Sequence, residues 1–109
     1  MIEIELRLRP NGTLQYLNAV GHAVRSSDEG FSPVCAAVSS SLRSTARLLA
    51  ATRGIRISGE APEEGVFRLE LHSCSFSRRG YLRGVSSALL QILNDLAEES
   101  PNEVQVEIR

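Results

Sequence analysis

The chain has 109 residues and a mass of 11.9 kDa, enough for one domain and too little for two ordinary ones, so residues 1–109 are read as a single domain. Hydrophobic residues make up 42% and charged residues 23%, which is average globular usage; with no apolar run near the ~18 residues of a membrane span, a membrane protein and a disordered chain are both excluded. Twelve basic against thirteen acidic side chains leave a net charge of -1, and the absence of any long like-charge block argues against direct nucleic-acid binding.

Met1-Ile2-Glu3-Ile4-Glu5 alternates apolar with acidic residues and lacks the basic start and apolar centre of a signal peptide, so a cytoplasmic location is expected. Two cysteines without such a signal imply thiols in a reducing compartment. Ile2, Ile4, Leu6 and Leu8 fall on one face of a period-two segment, the mark of a half-buried strand. Pro10-Asn11-Gly12 follows, and Asn-Gly predicts a hairpin turn with two positive-φ residues, returning Thr13 to Val20 antiparallel. Residues 21–31 lack periodicity and read as a mobile loop.

Val34, Val38, Leu42, Thr45 and Leu49 recur at steps of three and four, predicting a helix from Pro33 to Thr52 with Ser32 as cap and Gly54 as stop. Ile55 to Ser58 and Val66 to Leu71 read as a second hairpin. Tyr81, Val85, Leu89, Ile92, Leu93 and Leu96 are taken as the stripe of a second helix closed by Pro101, and Val104, Val106 and Ile108 as a last strand. The order strand, strand, helix, strand, strand, helix, strand predicts an α+β fold: a two-layer, mostly antiparallel five-stranded sheet with both helices on one face.

With Pro33 as the first helical residue, Cys35 falls third, inside the first turn. Unpaired backbone N–H groups and the aligned peptide dipoles there favour thiolate over thiol and can stabilise an oxyanion. His22 ends the second strand, across the loop from this helix, where it can serve as base. Position alone leaves two readings of Cys35 open, an activated nucleophile or a small buried hydrophobe among Val34, Ala36, Ala37 and Val38. Cys74, two residues from His72 at the end of a strand, has no helix start to activate it and reads as a core or edge residue.

Gly21-His22-Ala23, a short polar loop, then Val34-Cys35-Ala36-Ala37-Val38-Ser39 resembles the signature of the bacterial ribosomal-processing cysteine protease family, Prp, over nearly the whole chain. The resemblance implies a cysteine endopeptidase that removes the N-terminal extension of a large-subunit ribosomal protein, cutting after large apolar residues. It implies His22 and Cys35 as the catalytic pair, a homodimer with a flexible loop over the site, and no metal or organic cofactor. Family members usually carry Asp-Ile before Val-Cys, where this chain has Ser32-Pro33, so Ser32 or Asp28 takes over whatever that aspartate does. Ser39, one turn beyond Cys35, matches a recurring serine and is a candidate substrate contact or a plain flank residue; Gly21 serves the backbone that presents His22.

Two other readings compete. His22, Cys35, His72 and Cys74 supply the residue types of a tetrahedral zinc site, with His72 and Cys74 two apart on a strand and so able to share a face, though without a Cys-x-x-Cys pair. Arg78, Arg79 and Arg83 at the start of the second helix suggest a non-catalytic ribosome-associated module, or a solvated helix end.

Overall fold

The computed structural model describes residues 1–21, 33–63 and 65–109. β1 (Ile2–Leu8) and β2 (Leu14–Val20) form the first hairpin and α1 (Pro33–Ala50) follows; β3 (Ile55–Glu60), β4 (Val66–Cys74), a 3-10 turn at Phe76–Arg78, α2 (Arg79–Glu99) and β5 (Val104–Ile108) complete the chain. The five strands make one sheet in the order β3-β4-β2-β1-β5. Every neighbouring pair is antiparallel except β1 and β5, which run parallel. The order of elements and the mostly antiparallel α+β sheet are those read from the sequence; the loop expected over 21–31 lies, apart from Gly21, outside the described residues.

The parallel pair follows from length. α2 has 21 residues and so carries the chain about 32 Å back along the sheet, to the end where β1 begins; β5 then has to start beside Ile2 and run with it. Ile2, Ile4, Leu6, Leu17 and Leu69 share one buried cluster with Val38 and Leu42 of α1 and Leu89 and Leu93 of α2. Both helices therefore cover the same sheet face, and the alternation of buried and exposed residues along β1 is the consequence. A second, smaller cluster of Leu49, Ile55, Leu71 and Leu82 closes the far end.

Three local readings are corrected. Asn11 has no positive φ; among the described residues only glycines do, Gly12 at +83° in this turn. Gly12 N donates to the Arg9 carbonyl at 2.8 Å and Arg9 N to the Thr13 carbonyl at 2.9 Å. This is a type I turn over Pro10-Asn11 followed by a left-handed glycine, because the fixed φ of proline suits the first central position of such a turn. The Asn11 side chain then accepts from Thr13 N at 3.1 Å and Thr13 Oγ1 at 2.7 Å.

The second correction concerns α2. Its buried residues are Leu82, Ser86, Leu89 and Leu93, whereas Tyr81 is 39% and Ile92 43% exposed. A serine inside the apolar stripe disguised the true phase. Ser86 Oγ accepts the backbone N–H of Leu14 at 2.9 Å in a buried hydrogen bond, tying α2 to the start of β2. The third is in β4. Ile57 pairs with Leu71, yet Arg56 pairs with Ser73 and Ile55 with Cys74, so an extra residue bulges the strand at His72. The bulge turns Cys74 toward the Leu71 cluster and leaves His72 exposed, bonded to Ser58 Oγ at 2.8 Å.

The Ser86 bond sets a test. Ser86→Ala removes the acceptor while raising helix propensity, so the buried Leu14 N–H is stranded and stability falls by about 1–3 kcal/mol. Urea unfolding reads this directly, and an unchanged midpoint would show that the bond carries no weight.

Candidate active site

α1 meets the sheet through Val38, Leu42 and Leu49, all nearly inaccessible to solvent. Stepping three residues back from Val38 along that stripe brings Cys35 to the helix's third residue, half-buried and packed against the main core. The helix starts where the sequence placed its start, so Cys35 stands in the first turn, among N–H groups without intrahelical partners. Cys35 and Cys74 form no disulfide.

Cys35 opens into a cavity of about 340 Å³ at the end of the sheet where β2 finishes and β4 begins. Buried Ile2, Ala19, Val38 and Leu42 and half-buried Val66 and Phe67 line its apolar part; Ser39, Arg43, Ala61 and Glu63 supply polar and exposed lining. Arg43 Nε donates to the Ser39 carbonyl at 3.3 Å. A larger recess of about 750 Å³ runs along β1 and β5, lined by Glu3, Glu5, Gln105 and Glu107 among others. It holds no thiol, and Arg109 answers Glu5 and Glu107 at 3.5 and 3.2 Å, so the chemistry belongs to the smaller cavity.

Gly21 also lines the cavity. Its φ is +108°, a conformation that side chains resist. A Cβ there would collide with the Met1 carbonyl oxygen, and Gly21 N donates to the Gly65 carbonyl at 2.8 Å. The residue is wedged between the start of β1 and the start of β4, which fixes the point from which the chain continues to His22. Of the sequence candidates, Gly21, Cys35 and Ser39 therefore meet at one cavity; His22, Asp28 and Ser32 lie outside the described residues.

Sequence reasoning missed the contribution of the β3–β4 connection, Ala61, Glu63 and Gly65, because nothing local marks a turn as one wall of a cavity. It also missed Arg43, which lines the cavity. Arg43 stands four residues after Ser39 and eight after Cys35, a spacing that keeps all three on one side of α1. The zinc reading loses its local pair. His72 and Cys74 face opposite sides of β4 across the bulge. Cys74 also lies eight residues along the strand from cavity-lining Val66, about 26 Å at strand rise. No group of three or more metal-binding side chains occurs among the described residues.

Gly21→Ala must force a left-handed backbone on alanine and push Met1 aside, so it lowers stability by about 1–3 kcal/mol or more, measurable as an earlier urea midpoint. An alanine variant as stable as the parent would contradict the wedge.

The sequence matches the family model described as cysteine protease Prp over residues 1–105. Among solved structures, an essential ribosomal processing protease Prp from S. aureus in complex with a covalently linked product peptide superposes with a TM-score of 0.82 at 17% identity, covering 100% of both chains. The same protease in complex with a substrate peptide gives 0.79 at 15% identity, again over 100% of both chains. SMU.848 from Streptococcus mutans gives 0.80 at 26% identity, over 99% of this chain and 93% of that one. A search of curated proteins gives no match. With a cysteine at the first turn of α1, a cavity beside it and a family match spanning nearly the whole sequence, the chain belongs to the cysteine protease Prp family.

Proposed function

We propose that the chain is an endopeptidase that removes the N-terminal extension of a large-subunit ribosomal protein, with His22 and Cys35 as a catalytic dyad. The observation that carries the reading is that Cys35 and Gly21, the residue bonded to His22, line one cavity. His22 accepts the Cys35 thiol proton, Sγ attacks the scissile carbonyl carbon, and backbone N–H groups of the first helical turn receive the developing oxyanion. Collapse of the tetrahedral adduct expels the new amine, which takes the proton from His22 and leaves a thioester on Cys35. Water, deprotonated by the same imidazole, then releases the extension as a carboxylate and restores the thiol.

The apolar part of the cavity suits a large apolar side chain of the substrate, in keeping with cleavage after such residues. Ser39 and Gly21 serve as contacts along the substrate backbone, and Ser32 or Asp28 orients His22. The S. aureus relatives, solved with product and substrate peptides, support a peptide substrate. We further propose that the protein works in the cytoplasm as a homodimer and needs no cofactor; no described helix is long and apolar enough to cross a membrane.

The experiment incubates wild type and Cys35→Ala with the organism's own large-subunit proteins and reads their N-termini by mass spectrometry. One protein should lose an N-terminal peptide ending in a large apolar residue with wild type only. Intact N-termini in both samples, or equal trimming by Cys35→Ala, would remove the assignment.

A further inference from the structure

We propose that the end of the molecule opposite Cys35 binds single-stranded nucleic acid, with phosphates on Arg53, Arg79 and Arg83 and a base stacked on Phe76. The inference does not rest on the peptidase reading. It begins with the charge pattern, because the net charge of -1 averages two unlike ends. Residues 71–94 contain Arg78, Arg79 and Arg83 and no acid; residues 30–59 contain Arg43, Arg47, Arg53 and Arg56 and no acid. Asp95, Glu98, Glu99 and Glu103 follow at the opposite end of α2.

The fold joins parts of the two acid-free runs. The end of α1, the start of β3, the end of β4 and the start of α2 come together at one end of the sheet. Ser75 N donates to the Gly54 carbonyl at 2.7 Å and Arg78 Nε to the Arg53 carbonyl at 3.1 Å. Arg83 Nε donates to the Asn11 carbonyl at 3.1 Å, and the residue is exposed. Among the described residues no carboxylate pairs with Arg53, Arg78, Arg79 or Arg83, whereas Arg109 holds two. Exposed like charges gathered this way repel, and an anion relieves them.

Phe76 supplies the second observation. Its ring is 82% exposed, and the Arg79 guanidinium carbon lies 5.2 Å from its centroid. A bare aromatic backed by a cation is a stacking platform for a base. Exposed arginines beside an open ring offer partners for both the phosphates and the bases of a nucleic-acid strand; an acidic peptide would use the arginines and leave the ring idle. Gly80 and Gly84, four apart on exposed α2, would meet nothing within 4 Å if given a Cβ. Each weakens the helix with no packing reason in this chain, and together they leave the helix surface bare for close approach of a strand.

The test is fluorescence anisotropy of a labelled oligouridine against the full-length protein over a salt series. Wild type should bind with a log–log salt slope of about -2, as expected for three phosphate contacts to a single strand. Phe76→Leu should weaken binding about tenfold with the slope unchanged. Arg53→Gln with Arg79→Gln should reduce the slope by about 1.4, and Arg53→Lys with Arg79→Lys should restore it. Alkylation of Cys35 by iodoacetamide, followed in every variant, should stay at the wild-type rate and shows that each is folded. No binding at protein concentrations up to about 10⁻⁴ M, the weak limit of non-specific association, would overturn the proposal. So would oligouridine binding indifferent to Phe76, or tighter binding of a labelled polyglutamate peptide, which would assign the surface to an acidic protein.

Discussion

The contact between α1 and the sheet sets the position of everything in the cavity. Val38, Leu42 and Leu49 are 2% exposed or less, and burying side chains of this kind is worth about 2 kcal/mol each. That stripe fixes both the rotation and the axial position of the helix, so Cys35, three residues before Val38, has one place to be: in the first turn, just ahead of the stripe, where β2 finishes and β4 begins. The thiol is held by packing, and its cavity is the gap left between the helix start, the end of β2 and the β3–β4 connection.

The same geometry explains why Gly21 is glycine. β2 must end beside β4, through the Gly65 bond, while its next residue passes close over the Met1 carbonyl. Only a left-handed backbone without a side chain satisfies both. The chain thus leaves the sheet from a rigid point at the cavity wall, and the residue that follows is the proposed base.

Much of this was legible in the sequence where one physical preference dominated. Period-two alternation in β1, the start of α1 at Pro33 and the stripe through Val38 gave the elements, and the first-turn position of Cys35 followed by counting. Reading failed where a tertiary partner overrode a local rule. Ser86 sits in the apolar stripe of α2 because the Leu14 N–H needs an acceptor, and no property of α2 alone announces that. The bulge at His72 parts His72 from Cys74, which simple alternation puts on one face. Proline moved the first turn by one residue from the Asn-Gly pair that is the stronger hairpin signal. Composition is silent in a different way: a net charge is a sum, and that the acid-free runs around Arg53 and Arg79 meet at one end of the sheet appears only when the ends of α1, β4 and α2 are assembled.

The central claim is that Cys35 acts as nucleophile with His22 as its base. The most direct measurement is pre-steady-state acylation by a peptide ester of the substrate extension, with the adduct mapped by mass spectrometry in wild type and His22→Ala. The account predicts one acyl group per chain on Cys35 in wild type, with formation about 10²–10⁴-fold slower without the imidazole. Acylation of His22→Ala at the wild-type rate, or an adduct on Cys74, would contradict it.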